Sequence, residues 1–197
     1  MSVEGFTALL LLKILMMSLS CLKSTTTLKE LETGSKLDSE RVSKLICLPA
    51  IARHQGICLH CAPSPNPFLT SLFESLGGVV TTDNEKQMNA QMVTTNVMGP
   101  LYGIMKQGRD FLVQHAGMSQ ESASYLIIKQ CLAIVQDADV GCEGNANRLD
   151  DLIEEQTPGG INEQALKNLE KLGGFETQGK MMDGILSRLN GDSDGSI

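Results

Sequence analysis

The stretch Leu76–Met92, LGGVVTTDNEKQMNAQM, marks the place where the sequence changes from a strand pattern to a helix pattern. Its first half contains VVTT, the last of several short apolar runs that are bounded by turn residues. After Asp83 the apolar residues recur at helical spacing, and no further strand pattern is found. The stretch therefore predicts an α/β region up to residue 82, followed by an all-helical region.

Before residue 82, strand-like runs alternate with helix-like segments. Pro65 and Pro67 suit the start of a helix, and the pair Gly77-Gly78 suits its end. The alternation is typical of a largely parallel sheet layer covered by helices. The strand-like runs are ILMMSLS, KLICLPAIA, GICLHC and VVTT, and the helix-like segments are TTTLKELE and PNPFLTSLFESLGG.

After residue 82 the sequence predicts helices only. The first begins at Asp83 and is interrupted at Gly99-Pro100, where proline removes a backbone donor. The second begins after Ser119, which is a good N-cap residue, and a later one begins at Asn162. The remaining helical segments are NRLDDLIEEQ and FETQGKMMDGILSRLNG, and residues 191–197 are predicted to be a disordered tail.

The helix after Ser119, SQESASYLIIKQCLAIVQDAD, is apolar around most of its circumference. A helix of this kind must be enclosed by other helices. Enclosure on every side is easier in so small a region if a second subunit contributes. We therefore predict that residues 83–190 form a helical dimerisation domain.

Composition limits the possible partners. The formal net charge is −7, and the chain has no Trp, 2 Tyr and 5 Phe. A broad nucleic-acid surface needs a basic face, and single-strand binding needs aromatic stacking platforms, so nucleic acid is not predicted as a partner. The 6 Cys are dispersed through apolar segments, which favours reduced thiols and a cytoplasmic protein.

The most hydrophobic run, FTALLLLKILMM at residues 6–17, has two interpretations. It contains Lys13 and is too short to cross a bilayer, so no membrane span is predicted. A secretory signal is open as an alternative, but Glu4 precedes the run and no basic residue does. We favour a buried strand for this segment.

Other chemistries find little support in the sequence. Cys58 and Cys61 have CxxC spacing near His54 and His60, but no second pair of zinc ligands has motif spacing, so no metal is predicted. There is no GxSxG, Walker or GxGxxG motif. Two helix interruptions, TTNVMGPLYG and TPGGIN, combine Gly and Pro with uncharged hydrogen-bonding side chains and are the candidate sites.

Several segments together resemble pyrroline-5-carboxylate reductases. DDLIEEQTPGGINEQALKNLEKLGGF is similar to the C-terminal signature of that family, in which a Pro-Gly-Gly turn precedes a helix. SLFESLGGVVTTDNEKQMNAQMVTTNVMGPLYGIM resembles the family's Gly-Ser-Gly-Pro-Ala-Tyr region, and KLICLPAIARHQGI resembles its Met-Pro-Asn stretch. The similarity extends over roughly residues 14 to 190.

The resemblance implies a fold, a reaction and a set of site residues. It implies a partial Rossmann-like NAD(P)-binding domain at 1–82, a dimerisation domain at 83–190, and hydride transfer from NADPH or NADH to a cyclic imine, as in proline biosynthesis. Asn162 falls on a catalytic Thr, and Pro49 and Ala50 fall on the cofactor side. The substrate residues by position are Thr157, Gly159, Gly160, Asn96, Met98 and Gly99.

The sequence also departs from the family pattern. The resemblance begins at the later strands of the dinucleotide fold, without its glycine-rich phosphate loop. Ala50 replaces an Asn, Met98 a Ser and Asn162 a Thr. A non-catalytic dimerisation or interaction protein derived from that family is therefore the alternative prediction.

Overall fold

The computed structural model describes residues 19–21, 26–64 and 66–196. The predicted strand or signal segment at the N-terminus lies outside these residues. The α/β part contains β1 (Leu19–Cys21), α1 (Leu28–Ser35), β2 (Val42–Cys47), β3 (Cys58–Cys61), α2 (Pro67–Ser75), β4 (Val79–Thr82) and α3 (Glu85–Val93). Short 3₁₀ helices lie at Ser39–Arg41, Pro49–Arg53 and Thr94–Val97.

The four strands form one sheet in the order β1-β2-β3-β4. The pairs β1–β2 and β3–β4 are parallel, as predicted, but β2 and β3 are antiparallel, with Cys47 opposite Cys58. The prediction of a largely parallel layer is therefore wrong for this central pair. Only residues 48–57 connect β2 to β3, and a parallel crossover needs about a dozen residues or more, so the chain reverses instead.

Helices α1 and α3 contribute side chains to the core of the sheet. The first turn of α1 is fixed by a capping box, in which Thr27 and Glu30 satisfy each other's backbone N–H groups. Helix α3 begins after Asn84, one residue later than predicted, because the Asn84 side chain accepts from the N–H groups of Lys86 and Gln87. The buried cluster consists of Leu28, Val42, Cys61, Met88 and Met92.

The helical part contains α4 (Met98–Ala116), α5 (Gln120–Asp139), α6 (Arg148–Glu154), α7 (Ile161–Lys171) and α8 (Gly174–Asn190). Ser119 caps α5 as predicted, with its side chain accepting from the Ser122 N–H. Among the described helices, none combines the length and the apolar character needed to cross a bilayer. Residues 191–196, part of the predicted disordered tail, contain turns but neither helix nor strand.

The predicted interruption at Gly99-Pro100 lies elsewhere in the structure. The α-helical run stops at Val93, and the hydroxyls of Thr94 and Thr95 donate to the backbone carbonyls of Gln91 and Met92 at 2.8 Å each. These bonds take up carbonyls at the end of α3. Pro100 instead lies in the first turn of α4, where a missing N–H is tolerated.

The chain divides into two compact units. One comprises the described residues up to Thr95 together with those from Met182 onward, and the other is Asn96–Met181. The sequence-based boundary at residue 82 marks the end of β4 and differs from this division. The difference arises because Met88 and Met92 of α3 belong to the sheet core, and Leu189 of α8 packs against it.

Candidate functional site

The TPGGIN turn connects α6 to α7 and is shaped by its two glycines. Gly159 has φ +73°, a left-handed conformation that favours glycine. The Gly160 N–H donates to the Thr157 carbonyl at 2.8 Å, which closes the turn. A Cβ at Gly160 would lie 2.9 Å from that carbonyl oxygen, whereas nothing lies within 4 Å of one at Gly159. The turn is thus tight at Gly160 and open above Gly159.

The start of α7 offers backbone donors. Gly160 is the N-cap residue and makes no side-chain cap, so side chains do not cover the first N–H groups of α7. Sequence analysis placed the helix start at Asn162, but Asn162 is its second residue and is exposed. Glycine takes the extended N-cap conformation readily, so the N-cap is Gly160, two residues before Asn162, and the first helical residue is Ile161. A carboxylate placed here meets N–H groups and the positive end of a helix dipole.

Glu163 is the charged group built into the turn. Its carboxylate accepts from the Gly159 N–H at 2.8 Å and from Lys167 Nζ at 2.6 Å. The bond from Lys167 and then the bond from Gly159 lower the pKa of Glu163, so it is ionised at neutral pH. Its charge is paired with Lys167, and the turn therefore presents no isolated negative charge to a ligand.

The second predicted segment, at the start of α4, has a different character. The Asn96 Oδ1 accepts from the Gln178 Nε2 at 2.9 Å, while its Nδ2 is buried without a hydrogen-bond partner. Met98 is 42% exposed, and a Cβ at Gly99 would meet open space. Asn96 therefore has a polar group available for a ligand or a water, and Met98 presents an apolar surface beside it.

The structure brings only part of the predicted substrate set together. One continuous segment, the turn and the start of α7, contains Thr157, Gly159, Gly160 and Asn162. Within Asn96–Met181, a range that is described throughout, no hydrogen bond or ion pair joins the 157–162 turn to residues 96–99. In one chain these are two separate surfaces.

The predicted cofactor residues follow β2. Pro49 is exposed and begins a 3₁₀ helix at the carboxyl end of the strand, and Ala50 is its second residue. Because β1 and β2 are parallel, this is the edge where open α/β sheets bind ligands. A proline ring and a methyl group provide a surface for a flat group there, but no charge.

Among the described residues, the start of α1 does not offer a phosphate cradle. The helix that connects β1 to β2 is α1, and two carboxylates occupy its start. The Thr27 N–H donates to Glu30 at 2.8 Å, and the Leu28 N–H donates to Glu85 at 3.2 Å. A helix start that already holds carboxylates repels a diphosphate, so the described residues do not fit this part of a dinucleotide.

Sequence analysis missed a cavity at the opposite edge of the sheet. It measures about 310 Å³ and lies where β3 and β4 end. His60 is 1% exposed, lines the cavity, and has both ring nitrogens buried without a hydrogen-bond partner. Burial lowers the pKa of His60, so the ring is neutral at pH 7. The other lining residues are Ala62, Pro63, Ser64, Thr70, Thr81, Thr82 and Asp83.

Sequence analysis also missed a buried ion pair. Lys44 is 2% exposed, and its Nζ lies 3.3 Å from Glu85 Oε1. The available signal was that Lys44 shares a strand face with the apolar residues Val42 and Ile46. The CxxC segment is strand β3, as its alternation predicted, and the described residues contain no group of three potential metal ligands.

The last surface feature is the apolar exterior of the helical unit. Ala123, Ile127 and Cys131 lie on one face of α5. A second apolar stripe, at spacings of three and four residues, is solvent-exposed and consists of Tyr125, Ile128, Leu132 and Val135. In the fully described range Asn96–Met181, Ala123 is the only buried apolar side chain.

No protein-family model and no curated protein matches the sequence. Solved structures do match its fold. A pyrroline carboxylate reductase from Plasmodium falciparum, crystallised with NADP bound, has a TM-score of 0.69 at 19% identity, covering 91% of this chain and 71% of its own.

Two further structures are similar. A pyrroline-5-carboxylate reductase from Coxiella burnetii has a TM-score of 0.72 at 19% identity, covering 88% of this chain and 65% of its own. The enzyme from Streptococcus pyogenes has a TM-score of 0.67 at 15% identity, covering 86% and 66%. The chain thus spans about two thirds of the length of these structures and shares their fold, an α/β domain followed by helices.

Proposed function

We propose that this chain, which has the fold of the pyrroline-5-carboxylate reductases, is a divergent member of that family. In this proposal the helical region pairs with a second copy, and the 157–162 turn binds the carboxylate of a small cyclic imine. The observation that carries the proposal is the uncapped start of α7 behind the Gly159-Gly160 turn. Such a turn, combined with this fold, suits a small carboxylate better than a plain linker.

The homodimer is supported by the apolar stripe on α5. Tyr125 is 67% exposed and Ile128 is 51% exposed in a single chain. Large contiguous apolar surfaces mark interaction sites, and a closed two-fold interface is the commonest arrangement for identical chains. We infer that residues 83–190 provide this interface. A substrate site shared between copies would also bring the 157–162 turn near the 96–99 segment.

The turn is suited to binding and not to acid catalysis. The backbone N–H groups of α7 and the hydroxyl of Thr157 are donors for a substrate carboxylate. Gly159, Gly160 and Gly99 allow close approach, and Met98 and Asn96 provide an apolar and a polar contact. Asn162 is our candidate catalytic residue: its amide can hydrogen-bond the imine nitrogen but has no readily transferable proton.

The cofactor in this proposal is NADPH or NADH, which when bound supplies the hydride for imine reduction. Pro49 and Ala50 lie on its nicotinamide side. The similar Plasmodium structure carries NADP, but the described residues here do not fit the diphosphate. We therefore expect weak cofactor binding by the 197-residue chain. The free cysteines, among those whose side chains are described, accord with a cytoplasmic location.

A non-catalytic dimerisation or interaction protein is the second candidate. The observation that favours it is the placement of the Glu30 and Glu85 carboxylates at the start of α1. If they exclude the cofactor, the chain keeps the dimer and the carboxylate turn without reduction chemistry. Titration of NADPH, followed by its fluorescence, separates the two candidates: binding favours a reductase, and no response at millimolar cofactor favours the interaction protein.

The carboxylate turn is tested with two ligands and two variants. We expect the purified chain to bind pyrroline-5-carboxylate at least about tenfold more tightly than 1-pyrroline, which lacks the carboxylate. Gly160→Val places a side chain against the Thr157 carbonyl and abolishes this preference. Gly179→Ala is the matched control, because a Cβ at Gly179 in α8 meets open space. Equal binding of both ligands, or an unchanged preference in Gly160→Val, would return the turn to the role of a linker.

Asn162 is tested separately. Asn162→Leu keeps the side-chain volume and removes the amide, so we expect carboxylate binding to persist while any NADPH-dependent reduction slows. The measurement is the substrate-dependent loss of NADPH absorbance, compared with the ligand titration on the same sample. Equal loss of binding and turnover would assign Asn162 to substrate binding alone.

A further inference from the structure

Two cysteines face each other across the central pair of strands. Cys47 is the last residue of β2, Cys58 is the first of β3, and the antiparallel register places them directly opposite. Their Sγ atoms are 2.9 Å apart. A disulfide bond is about 2.05 Å long, and directly opposed residues of antiparallel strands have the Cα separation that disulfides require. The pair therefore needs a displacement of less than about 1 Å to become bonded.

The other thiols do not share this arrangement. Among the cysteines whose side chains are described, Cys61, Cys131 and Cys142 make no contact with another thiol, and all five are free. Cys61 is fully buried, and burial raises the pKa of its thiol to about 11. The exposed Cys142 instead contacts the Asp139 carboxylate. The close contact is thus specific to one pair.

The two members of the pair differ in access. Cys47 is partly exposed, whereas Cys58 has no exposed surface. Burial, and then the hydrogen bond and charge of Cys47, raise the pKa of Cys58 well above the ordinary range. Because only Cys47 is accessible from solvent, an oxidant reaches Cys47 first, and Cys58 is the resolving thiol.

We propose that Cys47 and Cys58 form a reversible dithiol–disulfide couple that responds to peroxide. The Cys47 thiolate attacks the peroxide, which cleaves the O–O bond, gives the Cys47 sulfenic acid and, after proton uptake, releases water. The Cys58 sulfur then displaces hydroxide from the sulfenic sulfur, and the proton lost from Cys58 completes a second water. Overall, two thiols are oxidised by two electrons, hydrogen peroxide is reduced, and an external thiol reverses the bond by exchange.

The bond would close residues 48–57 into a covalent loop, and this loop carries Pro49 and Ala50. Linking the two strands removes freedom from the unfolded chain, so the oxidised form is expected to be the more stable one. The inference requires neither cofactor nor imine, and it does not depend on the proposed reductase function.

The test uses the full chain under non-denaturing conditions. The protein is treated with hydrogen peroxide, free thiols are blocked with iodoacetamide, and the protein is digested with trypsin. Cleavage after Lys44, Arg53 and Lys86 places Cys47 in one peptide, and Cys58 with Cys61 in another. We expect these two peptides to be linked, with fragmentation assigning the link to Cys58, and dithiothreitol to release them.

Two variants and a stability measurement complete the test. Cys58→Ala should abolish the link, whereas Cys61→Ala should retain it. The thermal midpoint of the wild-type chain should rise by several degrees on oxidation and return on reduction, and Cys47→Ser should not respond. A link through Cys61, a link between two chains, or blocked Cys47 and Cys58 without any link would overturn the proposal.

Discussion

The two units of the chain differ in how much of their apolar surface they bury. The sheet unit has its own core, with Leu28, Val42 and Met88 at 8%, 1% and 0% exposure. The unit Asn96–Met181 contains the two long helices α4 and α5, but Ala123 alone is a buried apolar side chain there. Helices of this length gain most of their stability from packing of their apolar faces. From this difference we expect the sheet unit to be stable by itself and the helical unit to require the proposed partner surface.

The largest expected effect comes from placing a charge on that surface. Ile128→Lys puts an ammonium in the middle of the exposed stripe of α5, where a partner helix would have to desolvate it. We expect the proposed dimer to dissociate at micromolar concentration and the helical unit to lose structure. Light scattering measures the mass. Tyrosine fluorescence reports on this unit alone, because Tyr102 and Tyr125 are the only tyrosines and the chain has no Trp.

Ala133→Lys is the matched control for this prediction. It lies on the same helix, is exposed, and points away from the stripe. It should leave the mass and the tyrosine signal unchanged. A monomeric wild-type chain with a stable tyrosine environment would contradict the expected difference between the two units. The helical unit would then be stable with its apolar face in water.

Sequence patterns predicted the helices and strands themselves better than they predicted which side chains are buried and how the strands pair. Ser119 as a cap, the strand at VVTT and the helix after Pro67 follow from local chemistry, and each is present. The direction of β3 was wrong because it depends on the length of the connection, not on the strand pattern. The helix interruption lies within the predicted TTNVMGPLYG segment, but at Thr94–Val97 and therefore a few residues before Gly99-Pro100.

The site was predictable only where the backbone defines it. The Gly159-Gly160 turn follows from residue types that permit one unusual conformation. The burial of Lys44 and His60 did not follow, because a polar residue on a strand can face either solvent or the interior, and tertiary packing decides which. The contact between Cys47 and Cys58 likewise depends on strand register, which the sequence alone does not fix.

A smaller effect is expected from a change in the sheet unit, which tests whether this unit unfolds independently of the helical unit. Glu85→Ala removes the carboxylate that pairs with the buried Lys44 ammonium and accepts from the Leu28 N–H. Leaving a buried charge unpaired costs about 3 kcal/mol. We expect the buried Cys61 thiol to be labelled correspondingly faster at fixed pH, with the rate followed by mass spectrometry, while the tyrosine signal of the helical unit stays unchanged.

Two controls accompany this variant. Lys86→Ala removes the neighbouring exposed side chain and should leave the labelling rate unchanged. Lys44→Met combined with Glu85→Ala removes both charges and should recover most of the lost stability, because no buried charge is left without a partner. Equal destabilisation by the double variant would assign the effect to helix α3 and not to the ion pair.

The smallest expected effect concerns pH. Burial lowers the pKa of His60 below its ordinary value of 6.5, so between these two values the unfolded chain binds a proton that the folded chain rejects. The free energy of unfolding of the sheet unit should therefore fall as the pH is lowered from 7 towards 5, by at most about 1.4 kcal/mol per pH unit. His60→Leu should flatten this dependence, whereas His54→Asn, at an exposed position, should preserve it. Amide exchange in β3, corrected for intrinsic rates and compared with α5, measures the effect. An equally steep dependence in His60→Leu would show that other groups in the sheet unit carry it, and parallel changes in α5 would show that the two units do not unfold independently.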